Sequence, residues 1–198
     1  GKMSRTYHSF YRTHLCRGKW RDLERPVLIN NWEATYFDFN EEKILNIASK
    51  AKAAGVELMV LDDGWFGKRN SDDCSLGDWV CNKKKLPNGI DGLAKKINDM
   101  GLMFGLWFEP EMVSPDSDLY RKHPDWCIHS YDRERTLSRK QLILDLSRED
   151  VREYIIKAVS EVLSSAPISY VKWDMNRNIS EIGSASLPAD KQQELPHR

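Results

Sequence analysis

The chain has 198 residues, of which 40% are apolar and seven are tryptophan, so it is long enough to bury one hydrophobic core. Its 30 basic and 30 acidic residues balance, which argues against a nucleic-acid partner and against an anionic membrane surface. No apolar run approaches the ~20 residues of a membrane-spanning helix, and residues 1–25 lack the apolar stretch of a secretory signal. We therefore expect a cytoplasmic protein without a membrane partner.

The metal-binding residue types are scattered along the chain. The five histidines show no zinc-ligand spacing, and no two cysteines form a CxxC pair. We expect no metal site and no cofactor. Reduced thiols are the favoured state of the cysteines in a cytosolic protein, with a Cys74–Cys81 bridge as the alternative.

Residues 1–25 are basic and polar, and we interpret them as a lead-in segment. From residue 26 onward an apolar strand is followed by an amphipathic helix, and acidic residues stand near the strand ends. After a first strand at 27–30, Asn40 is predicted to cap a helix that stops at Gly55. Strand 56–61 follows this helix.

The same pattern recurs twice. A helix with its apolar face at 90–97 stops at Gly101 and leads to strand 102–107. The next helix begins at Ser147, where Asp150 three residues on completes a predicted capping box, and Pro167 breaks it. Strand 168–173 then leads to Asp174.

The predicted strands are continuous apolar runs, which is typical of strands buried on both faces in a parallel sheet covered by helices. Acidic residues at the carboxyl ends of such strands fit a barrel or a doubly wound sheet. No glycine-rich phosphate loop follows any strand, which disfavours dinucleotide binding. Because a complete (β/α)8 barrel needs eight strands and about 250 residues, four βα units predict a partial barrel.

We accordingly predict an α/β fold in which residues 26–198 form the N-terminal half of a (β/α)8 barrel. Residues 126–146 are predicted to form a hairpin-like excursion between the third and fourth strands, pairing 126–128 with 141–145. Residues 180–198 are polar and contain two prolines, which indicates a loop.

The fourth strand carries a cation, an anion and an amide at alternate positions, which places them on one side of an extended chain. These are Lys172, Asp174 and Asn176. A sugar site needs this mixture: a carboxylate for the anomeric carbon and donors for hydroxyl groups. A nearby ammonium would keep the carboxylate ionised. A buried structural Lys–Asp pair is the alternative.

A second acidic motif, with Asp62, Asp63 and Trp65, follows strand 56–61. Two ionised acceptors can bind two neighbouring hydroxyl groups, and Trp65 offers an apolar platform for a sugar. An Asp-Gly turn with a helix cap is the alternative, and metal binding by the aspartate pair is a weaker one.

The end of the third strand carries an aromatic residue and two acids, Trp107, Glu109 and Glu111. Trp107 either packs against a sugar face or belongs to the core. We assign Glu109 and Glu111 to hydrogen bonds that shape the mouth of the site. Arg139 lies in no motif, and without further information a surface charge is its favoured interpretation.

Taken together, five segments resemble glycoside hydrolase family 36, the bacterial α-galactosidases or melibiases. The matching segments are 25–34 (RPVLINNWEA), 61–66 (LDDGWF), 106–113 (LWFEPEMV), 141–146 (QLILDL) and 171–177 (VKWDMNR). They follow the family order over nearly the whole chain, and as a set they are highly specific.

This resemblance implies a retaining α-galactosidase that acts on galacto-oligosaccharides such as melibiose and raffinose. By the resemblance, Asp174 is the nucleophile, and Asp62 and Asp63 bind the 4- and 6-hydroxyls of galactose. The remaining implied contacts are Lys172 and Arg139 to ring hydroxyls, Asn176 to the 2-hydroxyl, and Trp107 as a pocket wall. For the full-length protein we also expect a homo-oligomer.

Family members are longer than this chain, and their acid/base aspartate lies beyond the matching region. Asp190 matches no family motif. Retaining hydrolysis needs two carboxyl groups about 5–5.5 Å apart, so we expect little turnover from these 198 residues alone. Alternatives are an α-N-acetylgalactosaminidase, a galactosyl transferase, or a non-catalytic fragment that docks to its missing half.

Overall fold

In a computed structural model, which describes residues 1–192, a parallel four-stranded sheet lies at the centre. Its strands are β1 (Leu28–Asn30), β2 (Leu58–Leu61), β3 (Met103–Phe108) and β6 (Tyr170–Trp173), in the order β1-β2-β3-β6. All three neighbouring pairs are parallel, so the α/β fold with a parallel sheet is confirmed.

The helices are α1 (Lys2–Phe10), α2 (Trp32–Thr35), α3 (Glu41–Ala53), α4 (Gly89–Asp99), α5 (Asp118–Lys122) and α6 (Glu149–Ser164). The predicted cap of α3 is confirmed, because Asn40 Oδ1 accepts a hydrogen bond of 2.9 Å from the Lys43 backbone N–H. Gly55 and Gly101 follow α3 and α4 with φ of 87° and 78°, a left-handed conformation that ends a helix.

The predicted capping box of α6 is wrong. Arg148 is the residue before the helix, and its side chain makes no cap bond. The hydroxyl of Ser147 donates instead to Asp145 Oδ1, while the carboxylate of Asp150 pairs with the Arg148 guanidinium at 2.7 Å. Both capping groups are therefore engaged elsewhere, and α6 ends before Pro167.

The predicted excursion exists, but its strand pairing differs. Cys127 forms an isolated antiparallel bridge with Leu144, as expected for the two paired segments. The regular ladder, however, joins β4 (Met112–Val113) to β5 (Leu142–Ile143). The segment directly after β3 is thus the main partner of β5, which ties the excursion to the end of β3.

The core lies between the sheet and the helices that cover it. β2 and most of β3 are buried, whereas the edge strands β1 and β6 are partly exposed. Three helices bury the apolar faces that their sequences predict. These faces are Ile44, Ala48 and Ala51 of α3, Ile90, Leu93, Ala94 and Ile97 of α4, and Val151, Ile155 and Val159 of α6.

The lead-in segment contains helices that the sequence analysis did not predict: α1, a π-helix at Tyr11–Leu15 and a 3-10 helix at Lys19–Arg21, none with a buried residue. Of the predicted terminal loop, residues 180–191 form turns and irregular structure, and 193–198 lie outside the described residues. Across residues 1–192, no helix combines the length and apolar character needed to span a membrane.

Candidate active site

The carboxyl ends of β2, β3 and β6 bring their polar residues together at one edge of the sheet. Lys172 Nζ lies 2.8 Å from Asp62 Oδ2, and Trp107 Nε1 lies 3.0 Å from Asp174 Oδ2. Residues that the sequence separates by more than sixty positions are therefore neighbours, as expected for the carboxyl edge of a parallel sheet.

At this edge of the sheet, the carboxylate of Asp174 accepts hydrogen bonds from neutral N–H donors. Trp107 Nε1 and Asn176 Nδ2 donate to its Oδ2 at 3.0 and 2.9 Å, and the Met175 backbone N–H donates to Oδ1 at 3.0 Å. Its side chain is 29% exposed. Burial acts to raise the pKa of Asp174, but the hydrogen bonds and the Lys172 charge outweigh it, so the pKa falls below its ordinary value.

Lys172 lies between two carboxylates rather than in a simple pair with Asp174. Its Nζ is 4.0 Å from Asp174 Oδ2 but only 2.8 Å from Asp62 Oδ2. The same Asp62 oxygen accepts from Asn30 Nδ2 at 2.5 Å. The predicted alternation along β6 is confirmed, because Lys172 and Asp174 lie on the same side, and Asp62 is the closer partner of the ammonium.

Asp63 does not join this group of contacts. Both of its carboxylate oxygens accept from the guanidinium of Arg69, at 3.0 Å from Nε and 2.9 Å from Nη2. Arg69 is only 1% exposed, and its third nitrogen donates to the Cys74 carbonyl. Burial raises the pKa of Asp63 against the opposing effect of Arg69.

A second buried cation supports the same loop. Lys85 Nζ donates to three backbone carbonyls, those of Phe37, Gly64 and Arg69, at 2.9–3.0 Å. Neither Arg69 nor Lys85 is predicted from the sequence. They lie in irregular structure, where no periodicity distinguishes a buried cation from a solvated one.

Trp65 is not a sugar platform. It is completely buried, and its indole N–H donates to the Trp107 carbonyl at 2.9 Å. Its ring makes edge contacts with Phe66 and Phe108, at 5.1 and 5.5 Å between centroids. The turn after β2 directs this side chain into the core, which an alternating pattern does not predict.

Trp107 takes the core position that was one of its two predicted roles. Its ring is 1% exposed and lies parallel to that of Phe66 at 6.1 Å, which is a core position. Its N–H edge nevertheless reaches Asp174. The indole is therefore a core residue that presents a single donor to the site.

Arg139 lies in a two-residue turn between Ser138 and Gln141, with its guanidinium 3.3 Å from Asn176 Oδ1. Arg139 and Lys140 both have positive φ, 50° and 59°. Positive φ at both central residues is typical of a two-residue hairpin turn, because it matches the twist of the flanking segments. Arg139 is exposed, as a surface charge would be, and its one side-chain contact within residues 1–192 is with Asn176, beside Asp174.

Glu109 and Glu111 form the hydrogen bonds predicted for them. Glu109 accepts from the Asn176 backbone N–H and from Gln141 Nε2, and Glu111 accepts from Trp173 Nε1. Burial raises the pKa of Glu109, and the negative charge of Asp174 adds to this effect. Among residues 1–192, no three His, Cys, Asp or Glu side chains gather as metal ligands.

Similarity to known proteins shows which family this chain belongs to. The family model described as Melibiase matches residues 1–198. This chain belongs to the melibiase family. It is similar to alpha-galactosidase AgaA of Geobacillus stearothermophilus, with 67% identity over 196 residues that cover 99% of this chain and 27% of AgaA. Alpha-galactosidase Mel36A of Lactobacillus acidophilus is 52% identical over 197 residues.

Solved melibiase structures show the same fold. The crystal structure of the GH36 alpha-galactosidase AgaA superposes with a TM-score of 0.92 over 97% of this chain and 27% of that one. An AgaA variant solved in complex with raffinose gives a TM-score of 0.93. This melibiase chain thus spans about a quarter of the length of the relatives it matches.

Proposed function

We propose that this chain is the nucleophile-bearing part of a retaining α-galactosidase, with Asp174 as the nucleophile. The observation that carries the proposal is the environment of Asp174: a partly exposed carboxylate at a strand end, held by three neutral N–H groups. Such donors orient an anion without neutralising it, so the carboxylate keeps the charge that attack requires.

The proposed reaction has two steps. An oxygen of Asp174 attacks the anomeric carbon of the terminal α-galactoside while the glycosidic C–O bond breaks and a general acid protonates the leaving oxygen. The resulting β-galactosyl ester is then hydrolysed by water, which the same acid/base group deprotonates. Two inversions at the anomeric carbon release galactose as the α-anomer.

The neighbouring polar residues are proposed to bind the galactose. Asp62 and Asp63 accept from the 4- and 6-hydroxyls, since a carboxylate oxygen paired with a cation retains a free lone pair. The other proposed contacts are Lys172 and Arg139 to ring hydroxyls, Asn176 to the 2-hydroxyl, and Trp107 at the pocket wall. Because the axial 4-hydroxyl distinguishes galactose from glucose, a carboxylate placed there selects for galactose.

Galacto-oligosaccharides such as melibiose and raffinose are the proposed substrates. Structures of AgaA variants in complex with raffinose and with stachyose support this substrate class. The alternative activities are those of an α-N-acetylgalactosaminidase and of a galactosyl transferase.

We propose that the acid/base group comes from a part of the enzyme outside residues 1–192. Within this range, Glu109 is fully buried with both oxygens engaged, and Asp62 is paired with Lys172. Because general acid–base catalysis typically contributes ~10²–10⁴-fold, the 198 residues alone are expected to show little turnover.

We also propose that residues 26–198 are the first half of a (β/α)8 barrel, preceded by the lead-in segment 1–25. β1 and β6 each have one edge without a strand partner among the described residues. Leu28 and Tyr170 on these strands are each 40% exposed. Further strands at both edges would cover these side chains and pair the free backbone groups.

Hydrolysis of nitrophenyl α-galactoside by the full-length parent protein tests this function. We expect turnover with the α-anomer of galactose as the first product in proton NMR, and much slower turnover of the N-acetyl analogue. First release of the β-anomer, or a preference for the N-acetyl substrate, would contradict the proposal. Robust turnover by the 198-residue chain would place the acid within it.

The homo-oligomer stays a prediction, which light scattering of the full-length protein checks.

A further inference from the structure

We propose that Glu109 is a positioning residue that fixes the segment 174–176 and thereby aims the nucleophile. This inference rests on the proposed function, because it assumes that Asp174 attacks the substrate. The carboxylate of Glu109 contacts the backbone beside the nucleophile, so it acts through the nucleophile segment.

The contacts of Glu109 are those of a buried anchor. The residue is 0% exposed, so its carboxylate is screened from water. Its Oε1 accepts from the Asn176 backbone N–H at 2.5 Å, and its Oε2 accepts from Gln141 Nε2 at 3.0 Å. In such an environment these hydrogen bonds fix both partners, because a buried polar group that loses its partner is costly.

Phe108, the last residue of β3, and Glu109, which follows it, hold the nucleophile segment at both of its ends. The Asp174 backbone N–H donates to the Phe108 carbonyl at 2.8 Å, and Glu109 holds the N–H of Asn176. The Asn176 side chain then donates to Asp174 Oδ2 at 2.9 Å. A displacement of Asn176 is therefore transmitted directly to the attacking carboxylate.

Gln141 fixes Glu109 from the opposite side. It is 2% exposed, and its backbone carbonyl accepts from Arg177 Nη1 at 2.6 Å. Its Oε1 is buried and has no hydrogen-bond partner among residues 1–192. In Glu109→Gln, rotation of the Gln141 amide would place Gln141 Oε1 where it accepts from the side-chain N–H at position 109. The contacts of residue 109 would then be preserved without its charge.

Glu111 offers a matched control. It lies on the same loop and also accepts an N–H beside the nucleophile, that of Trp173 Nε1 at 2.9 Å. The Trp173 side chain points to the opposite side of β6 from Asp174 and is 53% exposed. Loss of this bond frees a side chain, whereas loss of the Glu109 bond frees the backbone.

The variants Glu109→Ala, Glu109→Gln and Glu111→Ala are made in the full-length parent enzyme and assayed with nitrophenyl α-galactoside. Because a small misplacement of a reacting group costs ~100-fold, we expect Glu109→Ala to lower kcat by about this factor, with a smaller change in KM. Glu109→Gln, which keeps an acceptor, and Glu111→Ala, which frees only the Trp173 side chain, should each lower kcat far less than Glu109→Ala. An equal loss in Glu109→Gln and Glu109→Ala would overturn positioning by geometry.

A second measurement separates positioning from a general structural role. In Asp174→Gly, added azide attacks the anomeric carbon of the nitrophenyl substrate, nitrophenolate leaves, and β-galactosyl azide forms. Azide diffuses into the site, so its attack does not depend on how residue 174 is oriented. The double variant Asp174→Gly/Glu109→Ala should therefore form the azide product no more than about 5-fold more slowly than Asp174→Gly. An equal loss in both backgrounds would show a structural role and overturn the positioning proposal alone.

The single variant distinguishes the two proposals. If Asp174→Gly with intact Glu109 forms no galactosyl azide, the nucleophile assignment is wrong, and the positioning role fails with it. If azide is captured, the proposed function stands, and the comparison of the two backgrounds decides the role of Glu109.

Discussion

The ends of β2 and β6 hold their carboxylates in opposite ways. At the end of β2, Asp62 and Asp63 each contact a cation, Lys172 and Arg69 respectively, and both are nearly inaccessible. At the end of β6, the hydrogen bonds to Asp174 come from neutral N–H groups, and its side chain is 29% exposed. Chemically identical side chains are therefore buried against cations at one strand end and held, partly exposed, by neutral donors at the other.

This difference teaches that the partners of a carboxylate, rather than its residue type, indicate its role. A guanidinium with two parallel contacts restrains an anion strongly, which suits a residue that only has to accept hydrogen bonds. An anion held by neutral donors retains its charge and an open side. The predictions below exchange or remove these partners.

The largest expected effect follows from removing the negative charge of Asp174, at the end of β6. Asp174→Asn retains the shape of the side chain but removes the attacking oxygen charge. We expect kcat of the full-length enzyme on nitrophenyl α-galactoside to fall by ~10⁵-fold or more, as for the loss of other covalent nucleophiles. A fall of less than tenfold would assign the nucleophile to another residue.

At the β2 end, Arg69→Met leaves Asp63 buried and without its cation, so we expect a loss of about 3–5 kcal/mol in unfolding free energy. Calorimetry of the full-length protein measures the fall in Tm. Loss of the cation raises the folded-state pKa of Asp63 further. The deficit should therefore be smallest in acid, where Asp63 is protonated, and should grow as the pH rises through that pKa.

The exposed Lys95–Asp99 pair is the control for this stability effect. Both side chains are more than 60% exposed, so Asp99→Asn should change Tm far less. Equal shifts in the two variants would show that burial of the Arg69–Asp63 pair has no special weight.

The next largest effect is expected from replacing Asp62, whose partner Lys172 also lies near Asp174. Asp62→Asn removes the negative partner of Lys172, and the ammonium, already 4.0 Å from Asp174 Oδ2, is then free to pair with the nucleophile. We expect kcat/KM to fall by ~100-fold, because a buried polar site loses its matching acceptor. Unchanged kinetics would remove Asp62 from the sugar site.

The smallest effect is expected from removing one neutral donor of Asp174. Trp107→Phe retains an aromatic ring but not the N–H, and we expect kcat to fall by ~10-fold, the net value of about one hydrogen bond. Since that hydrogen bond lowers the pKa of Asp174, the acid limb of the pH profile should move to higher pH in the variant. A shift toward lower pH would contradict this cause of the lowered pKa.

The sequence predicts the sheet and the meeting of its strand ends, but not the partners of each carboxylate. Alternation along β6 and the strand-end positions of Asp62 and Asp174 are regular features, so their proximity follows from a parallel sheet. Arg69 and Trp65 lie in irregular structure after β2, where neither 3.6-residue nor alternating periodicity applies. Their burial depends on tertiary packing and became visible only in the structure.

Capping shows the same limit at one helix end. Among residues 1–192, the Asn40 side chain has no partner besides the α3 backbone and caps that helix, whereas Ser147 and Asp150 find partners in Asp145 and Arg148. A local signature predicts a cap only when no tertiary contact competes for the same oxygen.

Covalent labelling tests the central claim most directly. A fluorinated galactosyl fluoride, which forms the glycosyl ester quickly and hydrolyses slowly, is reacted with the full-length enzyme. Tryptic cleavage after Lys172 and Arg177 then releases the labelled peptide for mass spectrometry. We predict one galactosyl ester on Asp174, within the peptide 173–177. A label on Asp62, Glu109 or any other carboxylate would contradict the assignment of Asp174 as the nucleophile.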